Sequence, residues 1–140
     1  MGSTKHIFLL THGSWGKYLL ESTESMVGKI DHIKYYFLLA GDRLDDYQAM
    51  VEADVKEAEE EGILLITDLK GSSTYNIAAA LCLRYSICAV TGLAMGLLIN
   101  ADELRDGHSV ETLADALVKE SAESVINVKK MVKEELEKTM

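Results

Sequence analysis

His6-Ile7-Phe8-Leu9-Leu10-Thr11-His12-Gly13 reads as a short apolar run that stops abruptly at a polar pair and a glycine. Consecutive apolar residues without polar alternation suit a strand covered on both faces, and the glycine suits a tight turn at its end. The same pattern returns at Ile63-Leu64-Leu65-Ile66-Thr67, which gives way to Asp68 and then to the small, polar Gly71-Ser72-Ser73. Between the two runs, Trp15, Leu19, Thr23 and Met26 recur at helical spacing up to Val27, with Gly28 as the stop. Ile33 to Leu39, rich in aromatic and β-branched residues, reads as a second strand. Asp42 is expected to cap a helix running through Glu61, with Asp45 and Asp46 in its first turn and Gly62 at its end.

Beyond the second apolar run, Tyr75 to Tyr85 predicts a helix, Ser86 to Thr91 a strand, and Leu93 to Leu104 a short helix after Gly92. Ser109 is expected to cap one long final helix. Its stripe would be Val110, Leu113, Leu117, Ser121, Val125, Val128, Val132 and Leu136, with Glu and Lys on the other side. Strands alternating with helices, each strand unbroken in its apolar run, predict an α/β fold: a mostly parallel, doubly wound sheet with helices on both faces, three layers in all. No linker or internal repeat interrupts the chain, so residues 1–140 are expected to form a single domain.

Composition narrows the function. A formal net charge of -9 opposes nucleic-acid binding, which needs clustered Lys and Arg, and favours a partner with a basic face. Cys82 and Cys88 form no CxxC pair and have no neighbouring histidine, so ordinary buried thiols are expected rather than a disulfide framework or metal site. The first residues lack the charged, apolar and small-residue pattern of a secretion signal, which points to a cytoplasmic location. The uncharged stretch from Tyr85 to Ala101 includes Gly92-Leu93-Ala94-Met95-Gly96. It is short for a membrane span and carries Ser86, Thr91 and Asn100, so a buried strand and a core helix are expected there.

In open parallel sheets, ligands bind beyond the carboxyl ends of the strands. His12 and Asp68 follow two different strands and so are expected at the same edge. A carboxylate accepting the proton of one ring nitrogen fixes the tautomer and makes the other nitrogen the nucleophile. Gly71, Ser72 and Ser73 would open a helix, where backbone N–H groups and two hydroxyls can receive an anion, and Lys70 adds positive charge. Trp15 fits either a wall of this site or the core. His6, His32 and His108 are scattered and suggest no metal site.

These residues resemble a known family, the enzyme IIA components of the mannose, fructose and sorbose class of bacterial sugar phosphotransferase systems. The resemblance rests on the Thr11-His12-Gly13 turn and on Ile66-Thr67-Asp68-Leu69-Lys70-Gly71-Ser72-Ser73-Thr74-Tyr75-Asn76, which is similar to the family's Asp-x-x-Gly-Gly-Ser-Pro-Phe-Asn. It implies a phosphotransferase in which His12 takes a phosphoryl group from the phosphocarrier HPr and passes it to enzyme IIB. Asp68 would orient His12, Gly71, Ser72 and Ser73 would bind the phosphoryl group, and no cofactor or metal would be needed. A homodimer is implied too, with no nucleic acid and no membrane insertion. The chain departs from the pattern at Ser72, where the family has its second glycine, at Thr74, where it has proline, and at Leu93-Ala94-Met95-Gly96, where it often has Asn-x-Pro-Met.

Two other readings compete. The phosphotransfer subunit of a dihydroxyacetone kinase resembles this fold and also uses an N-terminal histidine, but its motif is built around Met-Gly-Ser, which Asp68-Leu69-Lys70-Gly71-Ser72 fits only in part. The other is a non-enzymatic anion- or nucleotide-binding module. No GxGxxG or Walker sequence follows the first strand to support it.

Overall fold

The structure, a computed structural model, describes residues 4–140. The strands are β1 (His6–His12), β2 (Ile33–Leu38), β3 (Ile63–Thr67) and β4 (Cys88–Thr91). They form one sheet in the order β2-β1-β3-β4, and every neighbouring pair is parallel. The helices are α1 (Trp15–Val27), α2 (Leu44–Ala58), α3 (Ser73–Arg84), α4 (Met95–Leu104), α5 (Val110–Ser121) and α6 (Val128–Lys138). Short 3₁₀ turns follow α2 at Glu59–Glu61 and α4 at Arg105–Gly107.

The strand pleat sorts the core into two halves. Phe8 and Leu10 of β1 and Ile63 and Leu65 of β3 face α2 and α3, packing with Val51, Val55, Ile77 and Leu81. Ile7, Leu9, Leu64 and Ile66 point the other way and pack with Leu20 of α1, Leu98 of α4 and Leu113 and Leu117 of α5. Alternate side chains of a strand leave opposite faces, so an unbroken apolar run is what a sheet covered on both sides requires. The predicted α/β, three-layer architecture is the one observed.

At the amino ends of the strands, Arg105 is buried. Its guanidinium donates to the carbonyls of Asp31 (2.6 Å) and Lys5 (3.2 Å) and meets the Asp102 carboxylate at 3.0 Å, tying β1, β2 and α4 together. The carboxyl ends of the strands, with His12 closing β1 and Thr67 closing β3, lie at the opposite edge of the sheet.

Several predicted boundaries shift. Asp42 does not cap α2. Its carboxylate accepts the Leu39 N–H at 2.7 Å while its own N–H donates to the Leu39 carbonyl at 3.0 Å, so it clamps the turn after β2, and Arg43 stands at the cap position. Asp45 and Asp46 occupy the first turn of α2 as expected. The helix ends at Ala58, and Glu59 turns its side chain to accept the N–H of Ser86 at 2.7 Å, so β4 begins only at Cys88. Both cysteines are free and half-buried rather than fully buried, and burial pushes the Cys82 thiol up to about 11.

The long final helix is two helices. Ser109 caps α5, accepting the Thr112 N–H at 3.2 Å, but α5 stops at Ser121. Tight turns follow, with the N–H of Ala122 on Lys119 and that of Ser124 on Ser121, and Asn127 then caps α6 by accepting the N–H of Lys130 at 3.1 Å. Leu117 is the last residue of the stripe to be buried; Val125, Val128, Val132 and Leu136 are exposed, and α6 buries no residue. Apolar spacing continues across the break because both helices keep a stripe, which hides the capping asparagine between them.

The fully buried Leu65 and the exposed Leu83 offer a direct comparison. Leu65→Ala should lower unfolding free energy by about 2–5 kcal/mol. Leu83→Ala should stay within about 0.5 kcal/mol of the parent. Urea denaturation of both variants measures the contrast, and equal losses would contradict the described core.

Candidate functional site

The order β2-β1-β3-β4 places the direction change of the sheet between β1 and β3. At such a switch point the connections leave to opposite sides, and the carboxyl ends of the two strands open a crevice. His12 is the last residue of β1 and Asp68 directly follows β3. Both are thereby delivered to that crevice.

His12 is held by its backbone as well as its ring. Its N–H donates to Asp68 Oδ2 at 2.7 Å, and its Nδ1 lies 2.9 Å from the same oxygen. An ionised carboxylate only accepts, so Nδ1 carries the proton of that contact and Nε2 of the neutral ring keeps its lone pair. The His12 side chain is 46% exposed and that of Asp68 only 9%. The arrangement therefore presents a nucleophilic nitrogen while its carboxylate partner is sheltered.

Local sequence explains the presentation. Gly13 sits at φ +75°, in the left-handed region that glycine enters without penalty, and its N–H donates to the Leu38 carbonyl at 2.9 Å. Thr11 is buried and donates its hydroxyl to the Gly13 carbonyl at 2.8 Å. Gly16 lies against it: a Cβ there would come within 2.9 Å of Thr11 Cγ2. The small residue lets α1 begin close behind the histidine turn.

Asp68 is surrounded by donors. Beyond the two groups of His12, the Thr74 hydroxyl donates to its Oδ1 at 2.6 Å. Partial burial pushes the Asp68 carboxyl up, but the His12 amide, the Thr74 hydroxyl and the His12 ring outweigh burial and hold it below the usual carboxylate value. Tyr47 is buried nearby with its hydroxyl on the Tyr36 carbonyl at 2.7 Å. Burial, then the negative charges of Asp68 and Asp42, drive its phenol strongly upward, so it stays protonated.

The small polar segment divides its labour. Gly71 takes φ +82°. Ser72 directs both its N–H (3.2 Å) and its hydroxyl (2.6 Å) to the Leu69 carbonyl, so its donors build the turn. Ser73 opens α3, two residues earlier than the predicted Tyr75, and Asn76 is the residue whose N–H first returns to the Ser72 carbonyl. The amides ahead of Asn76 lie before the helix's own ladder, where a helix end attracts anions. Trp15, at the start of α1, is 39% exposed and stands outside both apolar clusters.

Sequence reasoning singled out His12, Asp68 and the 71–73 segment, which the topology brings to one edge. It passed over Thr74 and Tyr47. Thr74 was legible only as a departure from a motif, and Tyr47 only as an apolar position on a helix.

The profile of the family described as the PTS system fructose IIA component matches residues 6–118. The chain belongs to this family. Solved structures agree in fold. An EIIA phosphotransferase component from Streptococcus agalactiae superposes with a TM-score of 0.83 at 25% identity, covering 90% of this chain and 98% of that one. The mannose/sorbose-specific IIA subunit from Enterococcus faecalis gives 0.81 at 28% identity, covering 89% and 95% respectively. A IIA protein associated with the fucose utilization operon of Streptococcus pneumoniae gives 0.80 at 25%, covering 94% and 99%. A comparison with curated protein sequences gives no match. This IIA protein is thus a component of a sugar phosphotransferase system, and among its described residues no helix is long and apolar enough to cross a membrane.

The Asp68 contact makes two measurable statements about this IIA protein. Nitrogen-15 NMR of the neutral His12 ring should find the proton on Nδ1; a proton on Nε2 would contradict the hydrogen bond. Because the Asp68 carboxyl lies below its ordinary 3.8, its stabilising contribution is complete above that value and is lost as pH falls through the lower, folded one. Wild type should therefore lose its stability advantage over Asp68→Asn in strongly acid solution, as read by thermal melts across pH. A difference that does not change with pH would oppose the assignment.

Proposed function

We propose that His12 is the phosphorylated residue of a sugar phosphotransferase relay, with Nε2 as the accepting atom. The observation that carries this reading is the single oxygen of Asp68 that binds both the amide and Nδ1 of His12, which leaves Nε2 as the nitrogen outside that contact on a side chain that is 46% exposed. In the first step the Nε2 lone pair attacks the phosphorus of HPr phosphohistidine, the P–N bond to HPr breaks, and its electron pair returns to the HPr ring. In the second step a nucleophile of enzyme IIB of the mannose class attacks the same phosphorus and the electron pair returns to Nε2. Neither step consumes a cofactor.

Asp68 is the orienting residue. Phosphorylation at Nε2 with Nδ1 still protonated makes the ring cationic, and the carboxylate stabilises that cation through the existing contact. The amino end of α3 supports the transferred group: Gly71 and Ser72 shape the turn, and Ser73 offers an amide and a hydroxyl to the phosphoryl oxygens. Family membership favours this relay over the dihydroxyacetone kinase subunit and over a passive binding module. A cytoplasmic location follows from the partners.

We assign the native state as a homodimer. Support comes from the apolar stripe of α6, where Val128, Met131, Val132 and Leu136 are exposed, and from the groove beside the edge strand β4, lined by Ala78, Cys82, Ala89, Val90 and Val118. Sedimentation equilibrium should return twice the chain mass; a monomer at micromolar concentration would reject the assignment.

Incubation with phosphoenolpyruvate, enzyme I and HPr tests the relay. Wild type should gain one acid-labile phosphate, and His12→Ala should gain none while keeping its circular dichroism. Labelling retained in that variant would place the acceptor elsewhere. Asp68→Asn should slow uptake by about 10- to 100-fold. An unchanged rate would remove its orienting role.

A further inference from the structure

We infer that Thr74 is a positioning residue of the His12 site, its buried hydroxyl locking the Asp68 carboxylate in the plane that holds the imidazole. The inference deepens the proposed relay and rests on it for its kinetic arm alone.

The geometry starts from what the His12 contacts leave undetermined. Both His12 donors converge on Oδ2, at 2.7 and 2.9 Å. Rotation about the soft torsion to sp² carbon swings both carboxylate oxygens, and two donors on one of them resist it from one side only. A donor on the second oxygen removes this freedom. Thr74 Oγ1 supplies it at 2.6 Å from Oδ1, a distance typical of a hydroxyl donating to a charged acceptor.

Proton bookkeeping leaves one assignment. An ionised carboxylate has no proton to give, so the Thr74 hydroxyl is the donor and its only proton is committed. Ser72 Oγ, 3.1 Å from Thr74 Oγ1, has the Leu69 carbonyl at 2.6 Å as its closer partner. Thr74 is itself fully buried in the first turn of α3, and its branched side chain has few rotamers to choose from. The hydroxyl is therefore aimed by the helix rather than by solvent.

The motif that this segment resembles carries proline at the same position, and proline has no hydroxyl. The third donor is thus supplied by this chain's own residue, and it arises from a position that contributes nothing to the surface. Thr74 touches neither the imidazole nor the phosphoryl group in this reading; it acts through Asp68.

Thr74→Val keeps the shape and removes the donor, and Thr74→Ser keeps the donor and trims the methyl. In Thr74→Val the titration midpoint of the Asp68 carboxyl, followed by carbon-13 NMR, should move upward, because a group that favoured the ionised form is gone. Phosphoryl uptake from HPr should fall about three- to tenfold in kcat with KM for HPr unchanged. Thr74→Ser should restore both readouts. An unmoved Asp68 midpoint in folded Thr74→Val would overturn the inference, as would a Thr74→Ser variant as impaired as Thr74→Val, or a change confined to KM. Wild-type protein that takes up no phosphate would overturn the proposed relay instead, while the titration would still decide the role of Thr74.

Discussion

One oxygen atom organises the functional edge of this protein. Asp68 Oδ2 receives the backbone N–H of His12 and faces its ring nitrogen, so strand β1 and the loop after β3 are joined at the point where the side chain leaves the sheet. The backbone bond fixes where the histidine stands, and the ring contact fixes how it is turned. Neither would form if the two strands were not direct neighbours in the sheet, paired from His6 with Ile63 to Leu10 with Thr67. The topology of the sheet is thus the precondition for the chemistry proposed here.

The electrostatics of the site run against those of the whole chain. A protein of net charge -9 is an unpromising host for a phosphoryl group. Locally, however, α1 and α3 both begin at this edge, and helix amino ends carry partial positive charge. The carboxylate closest to the imidazole is sheltered and spends its charge on three donors. In the proposed phosphorylated state the ring would stand between Asp68 and a phosphoryl group on Nε2, so the carboxylate would face the cationic ring directly and the second anion at longer range. The net negative charge of the chain favours protein partners with a basic face.

Rigidity is supplied from both sides of the sheet. The backbone ladder between β1 and β3 sets their spacing, apolar side chains of both strands are buried on the two faces of the sheet, and the buried Arg105 ties together the ends remote from the site. A close-packed protein interior has little compliance, which keeps a hydrogen-bonded pair at working distance. The described chain departs from this plan in α6, which adds a helix without adding to the core.

The fold was legible in the sequence because its signal is local: apolar runs at β1 and β3, helical spacing between them and glycines at the stops. His12 and Asp68 were legible as a pair because the carboxyl ends of parallel strands share one edge. The end of α5 was not legible, since an apolar stripe persists through Asn127 and spacing alone cannot tell a buried stripe from an exposed one. Asp42 was misassigned because the same carboxylate suits a helix cap or a turn, and only the position of the Leu39 N–H distinguishes the two. The Thr74 hydroxyl and the ring nitrogen that meets Asp68 belong to tertiary structure alone. Residue identity states what a group can donate or accept; which partner it meets depends on distances set by chain segments far apart in sequence.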